Sequence, residues 1–308
     1  MRGEKLGAYT GGVWTAVDAR SAGIGDDVVA RACASHGWQR LRRGVYLDGG
    51  VAAGVDHLAW AAVLAAGGPG RAMAVGRTAA RLHGLPLVDD DDPVLRRYDG
   101  AHDDVAVERR LHRRATLHPR LWSYLPAERG LLLGCPVPSL VRTLWDLRLV
   151  LRQDALVCAL DAALHERRVT VPELRDQLVR TPRARGALGF ARCVQLSDAR
   201  AESPLETLAR LVLRPVLSEL EPQIEVYDTT LRMLARIDLG VRSLRLGVEA
   251  DGSTHRGAVS LAADRERERR TRWAFERATW WDVRRTPEQL RRRVLARAAA
   301  LAAARGRS

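Results

Sequence analysis

The strongest constraint on this chain lies in residues 201–308, where carboxylates recur inside segments that otherwise read as β-strands. Acidic residues are depleted in strands, and a buried charge must find a partner. The segment opens AESPLETLARLVLRPVLSEL, which predicts a helix with Ser203 as its cap, Pro204 in its first turn and Leu205, Leu208, Leu213 and Leu217 on its buried side. Glu206 stands three residues beyond Ser203, so SPLE also fits a capping box. On local grounds its carboxylate either bonds back to Ser203 or faces a site.

QIEVYD predicts a strand over Gln223–Tyr227, and RMLARIDLGV a second, in which alternation turns Asp238 away from Ile237 and Leu239. A third strand, Leu244–Ala250, runs into Asp251-Gly252, with Glu249 and Asp251 on one face. A hairpin would bring that face beside Asp238. Converging carboxylates are costly unless a cation neutralises them, and hard oxygens suit Mg²⁺ or Mn²⁺, which can polarise a phosphodiester and activate water. The alternative is plainer: Asp251-Gly252 makes a turn and Glu249 pairs with an arginine. DRERERRTRWAFERA (Asp264–Ala278) then predicts a helix with Arg265, Arg269 and Arg272 along one side, and Trp280–Val283 a further strand.

In order and spacing, SPLE, RIDL, VEADG with a following His255, the Arg-rich helix and TWWDVRR resemble the endonuclease-like domains related to very-short-patch-repair nucleases, within the PD-(D/E)XK restriction-endonuclease-like fold. The resemblance covers about the last third of the chain. It implies a DNA endonuclease in which Glu206, Asp238 and Glu249 hold Mg²⁺ or Mn²⁺, Asp251 stands where the best-known members carry Lys, and Arg270 matches a helix arginine of the pattern. A metal-bound water, His255 or Arg270 would then do the work of the absent Lys.

Charge agrees with a polyanionic partner. Lys plus Arg minus Asp plus Glu is 50 − 37 = +13, and residues 201–308 hold 21 Arg against 15 acids, a net of +6. Lys5 is the sole lysine and Asn is absent, a bias that a GC-rich genome also produces, so charge alone does not identify nucleic acid.

Near the N-terminus, helices are predicted around Ala16–Ala22 and over Asp26–Ala34. A basic strand-like run follows, Trp38–Leu47, carrying Arg40, Arg42 and Arg43. Two short helices and a basic hairpin describe a winged helix-turn-helix in which these arginines meet DNA, or a small helical cap with a solvated edge. Helices are further predicted over Val55–Ala66, Gly76–His83, 139–151, Ala155–His165 and Val171–Leu178, with strands around Val105–Leu111 and Leu131–Val137. The run Asp89–Asp92 reads as a solvated loop. RLRRGVYL, GRTAARLHGLP and VRTLWDL resemble the winged-helix region of abortive-infection-type antitoxins. That resemblance implies DNA binding and a protein partner in a toxin–antitoxin or phage-defence setting.

The expected plan is α/β, α+β overall: a winged helix-turn-helix at 1–55, a mixed, mainly helical region at 56–198, and a restriction-endonuclease-like α/β domain with a central mixed sheet at 199–308. A non-catalytic DNA-binding regulator built on the same scaffold is the competing expectation. Cys33, Cys135, Cys158 and Cys193 lie far apart and predict neither disulfides nor a zinc site. No apolar run is long enough to span a membrane, and a cytoplasmic location is expected.

Overall fold

The computed structural model describes residues 7, 10–35, 37–88, 103–108, 117–121, 123–252, 266 and 268–305. His255, Arg265 and the acidic run at 89–92 lie outside the described residues. The protein is mixed α and β, in two compact units. Among the described residues no helix is long and apolar enough to cross a membrane.

In the first unit, β1 (Val13–Thr15) runs into α1 (Ala16–Ser21) through a capping box between Thr15 and Asp18. Helix α2 (Asp26–Ala34) precedes a hairpin of β2 (Gln39–Arg42) and β3 (Val45–Leu47), and the sheet order is β1-β3-β2. Gly44, at φ +73°, makes the reversal that a side chain would strain. Trp14 joins helices to hairpin: it stacks on Tyr46 at 4.8 Å, meets Trp38 edge-on at 4.9 Å and donates from Nε1 to Asp48 at 2.9 Å.

Helix α3 (Val55–Ala65) is apolar over most of its circumference, and Ala59, Ala61, Ala62 and Val63 are fully buried in the unit's main core. Around it lie β4 (Ala72–Ala74), α4 (Gly76–Leu82), β5 (Asp103–Val107), β6 (Leu117–Leu121), the hairpin β7 (Arg129–Leu132) and β8 (Cys135–Pro138), and α5 (Leu140–Leu147) capped by Ser139. β5 pairs antiparallel with β4 and parallel with β6. Helix α7 (Val171–Arg180) also belongs to this unit for nearly all its length.

The second unit contains α6 (Gln153–His165), α8 (Ala187–Leu196), α9 (Pro204–Leu213) and a four-stranded mixed sheet ordered β12-β11-β10-β9. β9 (Glu221–Tyr227), β10 (Met233–Val241) and β11 (Leu246–Ala250) form an antiparallel meander, and β12 (Ala274–Ala278) adds in parallel. α10 (Trp280–Arg284) and α11 (Pro287–Arg305) complete it.

Two expectations are corrected here. The helix expected over Asp264–Ala278 gives way to strand β12 at Ala274, and the strand expected over Trp280–Val283 is helix α10. Arg272 at φ +57° reverses the chain, and Trp273 buries itself against Ile224 and Ile237, which draws Ala274–Ala278 into the sheet. Thr279 then starts a new helix. Its Oγ1 accepts from Asp282 N at 3.2 Å, and Asp282 Oδ2 accepts from Thr279 N at 2.9 Å.

Candidate active site

Ser203 caps α9 by accepting from Glu206 N at 3.2 Å, but the Glu206 carboxylate does not close the box. Its Oε2 instead accepts from Glu202 N at 3.0 Å and from Gln223 Nε2, on β9, at 2.8 Å. Glu206 is 7% exposed. Of the two local alternatives for this residue, the carboxylate faces the sheet.

Strand register carries the connection onward. Pro222 pairs with Leu239 and Ile224 with Ile237, so Gln223 stands opposite Asp238. Leu239 pairs with Val248, which places Asp238 opposite Glu249 one step on, and Glu249 pairs with Arg277. Asp238 Oδ2 accepts from Ala250 N at 2.9 Å, and Arg277 Nη1 donates to Asp251 Oδ2 at 3.0 Å. Glu206, Gln223, Asp238, Glu249, Arg277 and Asp251 therefore follow one another across four strands and a helix.

Beyond Asp238, β10 packs closely on an aromatic cluster. A Cβ on Gly240 would meet Ile224 Cδ1 at 2.9 Å and the Trp273 ring at 3.0 Å, the cluster to which Ile237 belongs three residues earlier. Opposite this point Gln223 adopts φ +55°, a left-handed conformation uncommon for a residue with a side chain. The aromatic pair Trp273 and Phe275 is thus accommodated by glycines at 240 and 247, where any Cβ would strike ring atoms.

Adjacent carboxylates on neighbouring strands repel unless a cation or proton intervenes. The donors here are hard oxygens, which suit Mg²⁺ or Mn²⁺ by chemistry. Among the described residues no group of three or more His, Cys, Asp or Glu is arranged to hold a metal ion.

Sequence reading missed Gln223 and Arg277. Arg277 sat inside an apparently helical run, and nothing in composition marks Gln223. Arg270, expected near the reacting groups, is exposed on the preceding helical turn; Arg277 is the arginine that meets Asp251. Arg269 is exposed and paired with Glu266 at 2.7 Å.

On the N-terminal hairpin, Arg40 and Arg43 are exposed, and Trp38, Gln39 and Arg40 border a pocket of about 380 Å³. Arg42, expected to face phosphate, is corrected: its side chain is 10% exposed and ion-paired with the fully buried Asp103 of β5. Thr78 Oγ1 also donates to Asp103, at 3.1 Å. Burial pushes the Asp103 carboxyl up to about 6, against the pull of Arg42. Because this folded value exceeds the usual 3.8, the folded state holds more protons than the unfolded between about pH 4 and 6. The contribution of Asp103 to stability therefore falls as pH rises through that window. Wild type should lose stability relative to Asp103→Asn between pH 4 and 7, and parallel melting curves across that range would exclude the effect.

No family model matches the chain. It is similar to two uncharacterized proteins of Mycobacterium tuberculosis, one from strain CDC 1551 / Oshkosh and one from strain ATCC 25618 / H37Rv, each 28% identical over 190 residues. The match covers 58% of this chain and 66% of each relative.

Proposed function

We propose that this protein is a metal-dependent DNA endonuclease whose N-terminal basic hairpin engages the duplex. The observation that carries the proposal is the connected set of Glu206, Gln223, Asp238 and Glu249 on one helix and three adjacent strands. Acidic residues are depleted in strands, yet Asp238 and Glu249 stand half-buried on adjacent strands here. A bound Mg²⁺ or Mn²⁺ would polarise the scissile phosphate and lower the pKa of a water.

The chain's own residues do the rest. Glu206, Asp238 and Glu249 would hold the cation, with Asp238 oriented by the Ala250 N–H. Arg277 takes the place of the Lys missing at Asp251: its guanidinium, paired with Asp251 and beside Glu249 in the ladder, can stabilise negative charge developing at phosphorus. The net charge of +13 would draw the polyanion in, and Arg40 and Arg43 would contact its backbone.

One observation favours the competing regulator reading: no group of three candidate ligands is preformed among the described residues. Incubating purified full-length protein with plasmid, linear duplex and single-stranded DNA, with Mg²⁺ or Mn²⁺ and with chelator, separates the two. Metal-dependent cutting supports the endonuclease. Salt-sensitive duplex binding without cutting supports a regulator, with a toxin or phage-defence partner then the next question.

The hairpin has its own test. Arg40→Ala with Arg43→Ala should weaken duplex binding and reduce the slope of log K against log salt by about 1 per lost phosphate contact. An unaltered slope would remove the hairpin from the interface.

A further inference from the structure

We propose that the pocket beside the N-terminal hairpin holds an unpaired nucleobase of a DNA strand, with the adjoining phosphate on Arg40; the proposal rests on the duplex-binding half of the reading above. The pocket, of about 380 Å³, lies between the end of α2, the start of β2 and the segment that leaves β3. That volume falls within the range of small-ligand sites, about 300–1,000 Å³, and Arg40 stands at its border.

One wall is aromatic and held in place. Arg40 pairs with Tyr46 and Tyr46 with Trp14, so these three share a face of the sheet, and Trp38 joins them by meeting Trp14 edge-on at 4.9 Å. An edge-on contact occupies at most one face of the Trp38 ring, which is half-buried where it borders the pocket. A fixed indole is a platform on which any base stacks, because every base has a π-face. Gln39, exposed at the same border, offers both a donor and an acceptor to a base edge.

Charge selects a base over a bare anion. Asp48 lines the pocket, and its Oδ1 accepts from Trp14 Nε1 at 2.9 Å, so the carboxylate is tied into the wall and repels a phosphate from the interior. Arg40 is exposed at the border and makes no ion pair among the described residues, so its guanidinium is available to a phosphate outside. A nucleotide entering base first satisfies both charges. The backbone keeps the mouth open: Gly49 seats against the Gly37 carbonyl, where any Cβ would collide, and a Cβ on Gly50, at φ +80°, would meet nothing within 4 Å. Leaving the stack costs least for a base that is already unpaired, which makes a bulged nucleotide the expected guest.

Cys33 reports occupancy, because it lines the pocket half-buried while the other three cysteines are buried. Alkylation of the full chain by N-ethylmaleimide, read by mass spectrometry without metal, is compared for free protein, a perfect duplex, the same duplex with one bulged adenine, and AMP. At equal saturation the bulged duplex should slow labelling of Cys33 and the perfect duplex should not. Trp38→Leu should weaken binding of the bulged duplex by about 5–100-fold, the span of one lost base–aromatic stack, and Trp38→Phe should restore most of it. Val51→Trp fills the pocket from a position 39% exposed, away from the core, and should abolish the preference for the bulged duplex even if Trp38→Leu fails to fold. Equal labelling with both duplexes, or a preference retained in Val51→Trp, would overturn the pocket and leave the duplex-binding reading standing. Protection by AMP but not by the bulged duplex would overturn the link to DNA. No binding of either duplex would overturn the pocket and the hairpin interface together.

Discussion

Asp238→Ala should lower the rate of metal-dependent cleavage by about 10³-fold, the equivalent of roughly 4 kcal/mol of lost transition-state stabilisation. Asp238 stands between Gln223 and Glu249 in the strand register. Its second task is structural, because Oδ2 accepts the Ala250 N–H at 2.9 Å. Alanine leaves that donor without its acceptor, at a cost of about 1–3 kcal/mol.

Asp238→Asn separates the two tasks. The amide oxygen can still accept from Ala250, so stability should stay close to wild type while the negative charge disappears. If the carboxylate acts in catalysis, Asn and Ala should be similarly inactive although only Ala is destabilised. Duplex affinity, which depends on phosphate contacts made elsewhere, should be retained in both. Cleavage by Asp238→Asn at the wild-type rate would remove Asp238 from the site.

The legible parts of this chain were those with local punctuation. Helix α2 runs over Asp26–Ala34 as expected, and α9 begins at Pro204 because Ser203 caps it. β10 was found from its alternation, and Asp238 from being out of place there. Where local signals compete, sequence reading failed. Trp280 and Trp281 favour a strand by type, yet Thr279 and Asp282 close a capping box and Trp281 remains 66% exposed on a short helix.

Other features depend on residues far apart in the chain. Arg42 looks like its neighbours Arg40 and Arg43, and only the approach of Asp103 from β5 turns it into a buried ion pair. Arg277 is one arginine among many until the parallel pairing of β11 with β12 sets it beside Glu249. Gln223 is the hardest case: its hydrogen bond to Glu206 spans 17 residues of chain, which neither composition nor periodicity encodes.

The helix that carries Glu206 is itself held by a buried charge. Asp161 on α6 accepts from Arg210 Nη2 at 2.7 Å and Thr207 Oγ1 at 2.7 Å, both on α9, and from Asp198 N at 2.8 Å. Arg210 also donates from Nη1 to Leu196 O at 2.6 Å. The two side chains are 2% and 3% exposed, so neither charge can turn to water if the other is removed. Asp161→Ala should therefore destabilise the protein by about 3–5 kcal/mol, and lower the melting temperature by on the order of 10 °C. A loss below about 1 kcal/mol would mean that Arg210 finds another partner.

The double variant Asp161→Leu with Arg210→Met distinguishes stability from placement. Replacing both charges with apolar groups of similar size is often neutral or stabilising, so the double variant should recover most of the lost stability. It does not restore the hydrogen bond from Thr207, the residue immediately after Glu206. If that polar network fixes the position of α9, cleavage should remain impaired in a protein that melts like wild type. Full activity in the double variant would show that apolar packing between α6 and α9 is enough to hold Glu206 in place.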